Sequence, residues 1–142
     1  MRVTLDRIDG NFLFRGRNEN GTETHFDTSP EEGGSGSAPG PMQTVAMALG
    51  ACSGIDVVSI LRKGREDIVD FHIDVDYDRA GDRTPSVFTE IHVHYALTGE
   101  LDLEKVRRAV DLSVRKYCSV AKMLQSTATI TYSFSVNGET YD

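Results

Sequence analysis

The chain has 142 residues and carries 22 acidic side chains against 15 Lys and Arg, a net charge of −7. The length suits one compact domain over residues 1–142, and 39% hydrophobic with 26% charged residues matches a soluble globular protein. No run of clustered Lys and Arg is present to neutralise phosphates, which argues against nucleic acid as a partner. The N-terminus, "MRVTLDRIDG", alternates charged and apolar residues and does not read as a secretion signal. The longest apolar run, Met42 to Ile55, is broken by glycines and reads as too short to span a bilayer, so a cytoplasmic protein without membrane partners is expected.

"VTLDRI" and "NFLFRGR" flank Asp9-Gly10, a two-residue hairpin signal, and "NENG" turns the chain into "TETHF". Residues 2 to 27 are therefore expected to form a three-stranded antiparallel meander. From Ser29 to Pro41, "SPEEGGSGSAPGP" predicts a mobile loop. It has no Gly-Lys-Ser/Thr ending, so a phosphate-binding loop is not expected. Pro41 suits the first position of a helix running to Lys63, with Gly64 as its stop and Arg62, Lys63 and Arg65 complementing the dipole. Its bulky residues form no single stripe: Met42, Leu49 and Ile60 lie on one side, and Met47 and Val58 lie nearly opposite. Such a helix must be covered all round.

"FHIDVDYD" places Phe71, Ile73, Val75 and Tyr77 on one strand face. "VFTEIHVHYAL" does the same with Val87, Ile91, Val93, Tyr95 and Leu97, and the turn "RAGDRTPS" between them predicts an antiparallel pair. In "LDLEKVRRAVDLSVRKY", Leu103, Val106, Val110, Val114 and Tyr117 recur at helical spacing. "CSVAKMLQS" predicts a short helix with Ser119 as N-cap. "ATITYSFSV" alternates Ile130, Tyr132, Phe134 and Val136 as the closing strand. The order of elements is that of an α+β fold, antiparallel sheets packed on helices.

Cys52 shares a helix face with Val45, Ala48, Asp56 and Ser59, the smallest and most polar side and the one suited to border a pocket. A neighbouring carboxylate raises a thiol pKa, and Cys52 lies about three turns in, beyond the helix N-terminal field. A reactive Cys52 therefore needs a cation from elsewhere; the alternative is a buried core thiol. Cys118 precedes the short helix, where unpaired N–H groups favour a thiolate, and Arg115 and Lys116 are near in sequence; core packing is again the alternative. Two cysteines so far apart are not the disulfide framework of a small secreted domain. His92 and His94 share a strand face with His72 on the neighbouring strand, but zinc needs three or four ligands and nothing nearby completes the set. A solvated polar face with Glu90 is the reading, with no metal and no cofactor expected. No nucleophile elbow or zinc-protease motif is present.

At these two cysteines, "GPMQTVAMALGACSGIDVVSILRKGR" and "RAVDLSVRKYCSVAKML" resemble the OsmC/Ohr family of osmotically inducible and organic hydroperoxide resistance proteins. The likeness is greatest to an OsmC-like branch carrying "GPM" before the helix and "DVVSIL" after the cysteine. The resemblance implies the OsmC-like fold, an intertwined homodimer with the long helices at its centre, which also answers the demand that this helix be covered all round. It implies a peroxidase, a thiol-dependent hydroperoxide reductase of the oxidative and osmotic stress response, acting on organic hydroperoxides or hydrogen peroxide. Cys52 is then the attacking thiolate, Cys118 the resolving cysteine, and a dithiol the reductant. Peroxidase members activate the first cysteine with an Arg from the N-terminal loop, held by a Glu about ten residues before it. Here Met42 and Gln43 occupy that stretch, and Arg17, with Arg15 nearly equivalent by position, corresponds to the activating Arg. Beside the enzyme stand a non-enzymatic homodimer binding a small apolar ligand at its interface, with Asp56 and Met42 at the pocket, and a thiol sensor or sulfur-transfer protein.

Overall fold

The computed structural model describes residues 1–142, in two units that divide after Val45. In the first unit, β1 (Thr4–Arg7), β2 (Phe14–Arg17) and β3 (Glu23–Phe26) form the expected antiparallel meander. The turn at Asp9-Gly10 is wider than a two-residue hairpin. Ile8 N–H donates to the Leu13 carbonyl, and the Asp9 carboxylate accepts from the N–H groups of Asn11 and Leu13. That side-chain turn draws both flanks into the loop.

The Gly/Ser/Pro segment is likewise not the free loop its composition suggests. Asp27, only 3% exposed, accepts from the Thr28 N–H and from both the N–H and hydroxyl of Ser37. These bonds, the Thr28 N–H foremost, hold its carboxyl below the usual carboxylate range. Gly34 and Gly36 bond back to the carbonyls of Ser29 and Thr28. A Cβ on Gly34 would collide with the Thr28 carbonyl, so only glycine allows this approach.

Helix α1 (Pro41–Lys63) begins in the first unit and continues into the second. At its end the left-handed position is Arg65 (φ 60°), not Gly64. Arg65 N–H donates to Arg62 and Glu66 N–H to Leu61, a Schellman closure in which Gly64 is the residue before the reversal. The 23-residue helix has a mean hydropathy of 1.8 over its most apolar stretch and is long and apolar enough to cross a membrane by length and composition, contrary to the short run read from Met42 to Ile55. It is built into the second unit: Leu49, Val57 and Leu61 are at most 1% exposed. Gly50 and Gly54 let it approach the sheet closely, a Cβ on Gly54 falling 2.6 Å from Ile73 Cδ1.

That sheet comprises β4 (Asp70–Arg79), β5 (Phe88–Thr98), β6 (Thr129–Val136) and β7 (Glu139–Tyr141), in that order. Between β5 and β6 run α2 (Leu103–Leu112) and α3 (Ser119–Leu124), and this long connection pairs β6 parallel to β5. The sheet is therefore mixed rather than wholly antiparallel. Strand β7, which the sequence reading did not anticipate, returns through Asn137 (φ 51°) and Gly138 (φ 86°), the paired left-handed conformation of a tight hairpin. Ile91, Val93, Tyr95 and Leu97 form the inward face of β5, each at most 1% exposed. Beyond them the register passes from Asp78 opposite Glu90 to Arg79 opposite Phe88. The bulge reverses the alternation, so Phe88 is buried where Val87 was expected.

Helix α2 is capped by the Asp102 carboxylate, which accepts the Lys105 N–H. Its apolar stripe holds through Val106 and Val110 and then changes phase. Residues 113–117 form a π turn that buries Ser113 completely and leaves Tyr117 50% exposed. The expected stripe of Val114 and Tyr117 assumed an unbroken 3.6-residue period.

Candidate functional site

Cys52 and Asp56, four residues apart, share one face of α1, and both are half-buried. The π turn brings the second cysteine to them. Its closing bond, from Cys118 N–H to the Ser113 carbonyl at 2.8 Å, spans five residues. Its first residue is fixed to α1: Ser113 Oγ donates to the Ser53 carbonyl at 2.8 Å and lies 3.5 Å from Asp56 Oδ2. As a result Cys52 Sγ, Cys118 Sγ and an Asp56 carboxylate oxygen all lie within 4.8 Å of one another. No disulfide joins the two cysteines. Of the rest of the expected helix face, Ala48 and Ser59 are exposed and Val45 is half-buried.

Cys118, 2% exposed, is itself the N-cap of α3 in place of Ser119, its sulfur accepting the Ala121 N–H at 3.3 Å. Unpaired N–H groups at the start of α3 are expected to favour the thiolate. That bond does work in this direction, but burial is the larger influence and, with neighbouring Cys52, pushes the Cys118 thiol up to about 11.

Ser53, Ser113 and Tyr95 complete the support, and none of the three was singled out from sequence. Tyr95 Oη donates to Ser53 Oγ at 2.7 Å, and Ser53 Oγ donates to the Leu49 carbonyl at 2.8 Å. All three side chains are fully buried, and burial pushes the Tyr95 phenol up to about 12. Two signals pointed to this cluster: a Tyr on the inward face of a strand needs a partner for its hydroxyl, and a serine beside the apolar positions of a buried helix can supply one.

Gln43, Met42, Arg17 and Arg15 lie in the first unit. Gln43 Oε1 accepts the Gly40 N–H at 2.9 Å, the return half of a capping box at the start of α1. This capping bond is what the side chain does where the resemblance looks for a carboxylate. Met42 is half-buried. Arg17 Nε donates to Glu23 Oε1 at 2.7 Å, which holds the Glu23 carboxyl below its usual range. Arg15 Nε is buried and makes no hydrogen bond. On the outer face of the sheet, His92 bonds to the hydroxyls of Thr131 and Ser133, His94 bonds to those of Ser133 and Ser135, and His72 contacts Asp74. The three histidines are thus spread over a hydroxyl-rich polar face.

The family described as OsmC-like protein matches residues 34–133. Protein YhfA of Escherichia coli strain K12 is 46% identical over 138 residues, covering 96% of this chain and 98% of that protein. The crystal structure of a protein from Aquifex aeolicus VF5 is 27% identical with a TM-score of 0.78, covering 96% of each chain. The organic hydroperoxide resistance protein OsmC of Legionella pneumophila is 16% identical with a TM-score of 0.70, over 95% of this chain and 96% of that one, a likeness of fold.

Proposed function

The chain belongs to the OsmC-like family, and from that premise we propose that it is a cytoplasmic, homodimeric, thiol-dependent reductase of organic hydroperoxides or hydrogen peroxide. The observation that carries the reading is the approach of the two cysteine sulfurs to within 4.8 Å, one half-buried and one buried. The Cys52 thiolate attacks the terminal oxygen of the hydroperoxide. The O–O bond breaks, an S–O bond forms, and the alkoxide takes a proton and leaves as the alcohol, with Cys52 now a sulfenic acid. The Cys118 sulfur then attacks the Cys52 sulfur, and hydroxide departs as water with the Cys118 proton. A dithiol reductant restores both thiols and becomes a disulfide itself. The burial of Cys118, whose thiol is held at about 11, suits the second role, because it does not compete for peroxide before Cys52 is oxidised.

The activating cation is Arg15 or Arg17. The unbonded Nε of Arg15 favours it over Arg17, which Glu23 already engages. The homodimer is supported by the exposure of Met47 (57%) and Ile55 (70%) on α1. Ile55 also borders a groove of about 620 Å³ lined by Ala51, Val58, Phe71 and Ile73, with Ser59, Arg62 and Lys63 also in its lining, and its mainly apolar lining suits the same helix of a second copy. The same groove supports the second reading, a homodimer that binds an apolar ligand with its thiols as packing.

The deciding experiment adds one equivalent of cumene hydroperoxide and follows thiols and intact mass. The wild type is expected to lose both thiols and two hydrogens. Cys118→Ser should stop at one added oxygen or over-oxidise, and Cys52→Ser should stay unchanged. Rapid oxidation of Cys52→Ser with none in Cys118→Ser would reverse the roles. Wild-type thiols indifferent to peroxide would end the peroxidase reading in favour of the ligand-binding one.

A further inference from the structure

Asp56 is the residue at this site that peroxide chemistry does not use. A carboxylate beside Cys52 opposes thiolate formation, and no Lys or Arg pairs with it: its contact is the Ser113 hydroxyl at 3.5 Å. What peroxide chemistry leaves unexplained, metal chemistry accounts for. A tetrahedral zinc ion with Zn–S of about 2.3 Å and Zn–O of about 2.0–2.2 Å sets its ligand atoms about 3.5–3.8 Å apart. Cys52 Sγ, Cys118 Sγ and the Asp56 oxygen are already within 4.8 Å of one another, so small side-chain movements complete the geometry.

We propose that, in the reduced protein, Cys52, Cys118 and Asp56 form a three-ligand zinc(II) site with the fourth position open to water. Two sulfurs and one carboxylate oxygen are a donor set suited to zinc, and two ligands at i and i+4 of one buried helix give it a rigid base that the third, at a helix cap, can close upon. Binding replaces the two thiol protons: Zn²⁺ enters and two H⁺ leave, with no change of oxidation state. Cys52 and Asp56 are half-buried while Cys118 is buried, so the ion enters from the α1 side. Ser113 Oγ lies 3.5 Å from Asp56 Oδ2 with its proton engaged by the Ser53 carbonyl, so it borders the carboxylate and leaves its oxygens free to ligate. Sequence spacing conceals such a site, because its third ligand lies on a distant turn. The histidines that first suggested zinc are instead bonded among hydroxyls.

The site uses the thiols of the proposed reductase but does not rest on that activity, and its test contains no peroxide. Reduced full-length protein is titrated with Co²⁺ as spectroscopic probe, and zinc affinity is measured by competition with a chromophoric chelator. One ion per chain is expected, with thiolate-to-cobalt charge-transfer absorption that zinc abolishes. Cys52→Ser should retain about half of that absorption, and its zinc affinity should fall by more than the ~10–100-fold that loss of an outer partner costs. Asp56→Ala, folded by circular dichroism, should keep both thiolate contributions yet bind zinc at least ~10-fold more weakly. Absence of charge-transfer absorption in the wild type, unchanged zinc affinity in Asp56→Ala, or unchanged affinity in Cys52→Ser would each overturn the proposal.

Discussion

Ser113 holds the two thiol-bearing elements together, and replacing it with Ala tests that role. Its hydroxyl donates to the Ser53 carbonyl at 2.8 Å, fixing the start of the π turn to the turn of α1 that carries Cys52. The Ser53 carbonyl keeps its intrahelical partner when the hydroxyl is removed, so the loss is one net hydrogen bond, about 1 kcal/mol. If that bond positions the thiols, its loss lowers their effective concentration by up to about 5-fold. Equilibration of the thiol pair with a glutathione redox buffer measures this directly. Ser53→Ala is the contrasting variant: it leaves the Ser53 carbonyl in place but deprives the fully buried Tyr95 hydroxyl of its acceptor. It should lower stability to urea by ~1–3 kcal/mol with little effect on the glutathione equilibrium. If Ser113→Ala leaves that equilibrium unchanged, or Ser53→Ala shifts it equally, the positioning argument fails.

Three further outcomes are expected. Replacing Arg15 with Met should move the pH profile of Cys52 alkylation upward, more than Arg17→Met does, because Arg17 is engaged by Glu23; two unmoved profiles would exclude both as the activating cation. Ile55→Glu places a charge on the most exposed large hydrophobic residue of α1, 70% accessible, and should convert a dimer to a monomer in sedimentation. A folded wild-type monomer at micromolar concentration would refute the dimer itself. Glu66 accepts from Lys105 Nζ and the Asp102 N–H, which lower its pKa, Lys105 first. Its contribution is thus fully present above an unfolded value of about 4.3 and is lost as pH falls through the lower folded value. Glu66→Gln should flatten the acid limb of stability against pH, and an unchanged limb would refute the linkage.

The sequence made the long helix, the N-terminal meander and the β4–β5 pair legible because each is governed by local periodicity and by its flanking turns. The Pro41–Lys63 bounds followed from a proline start and a basic end. What escaped was set by hydrogen bonds that fall outside the regular helical and strand periods. The π turn breaks the stripe after Val110 because Cys118 bonds five residues back to Ser113, and helical periodicity carries no trace of that. The bulge at Phe88 reverses alternation for the same kind of reason, a register choice made with β4. The Ser29–Pro41 segment looked free because its composition is that of a linker, yet one buried carboxylate, Asp27, ties it down. The cysteines were legible as a pair through resemblance, while the serine and tyrosine hydroxyls behind them left weaker signals and are joined only by the packing of β5 and the π turn against α1.

The two thiols sit on elements of unequal rigidity, and that difference gives the site its direction. Cys52 is carried by a helix whose neighbours Leu49, Ser53 and Val57 are all fully buried, so its backbone has little room to move. Cys118 ends a π turn, an irregular segment able to rewind toward ordinary helix, and caps a helix of only six residues. For the sulfurs to reach the ~2.05 Å of a disulfide, Cys118 is therefore the partner that moves. In moving, it gives up the Ala121 N–H it now accepts and exposes the start of α3. On the proposed reductase chemistry, disulfide formation is therefore expected to loosen residues 113–124. The proposed zinc ion, which would draw the same sulfurs together without joining them, is expected to leave that segment in place; hydrogen exchange of residues 113–124 in the oxidised and zinc-loaded protein tests the difference.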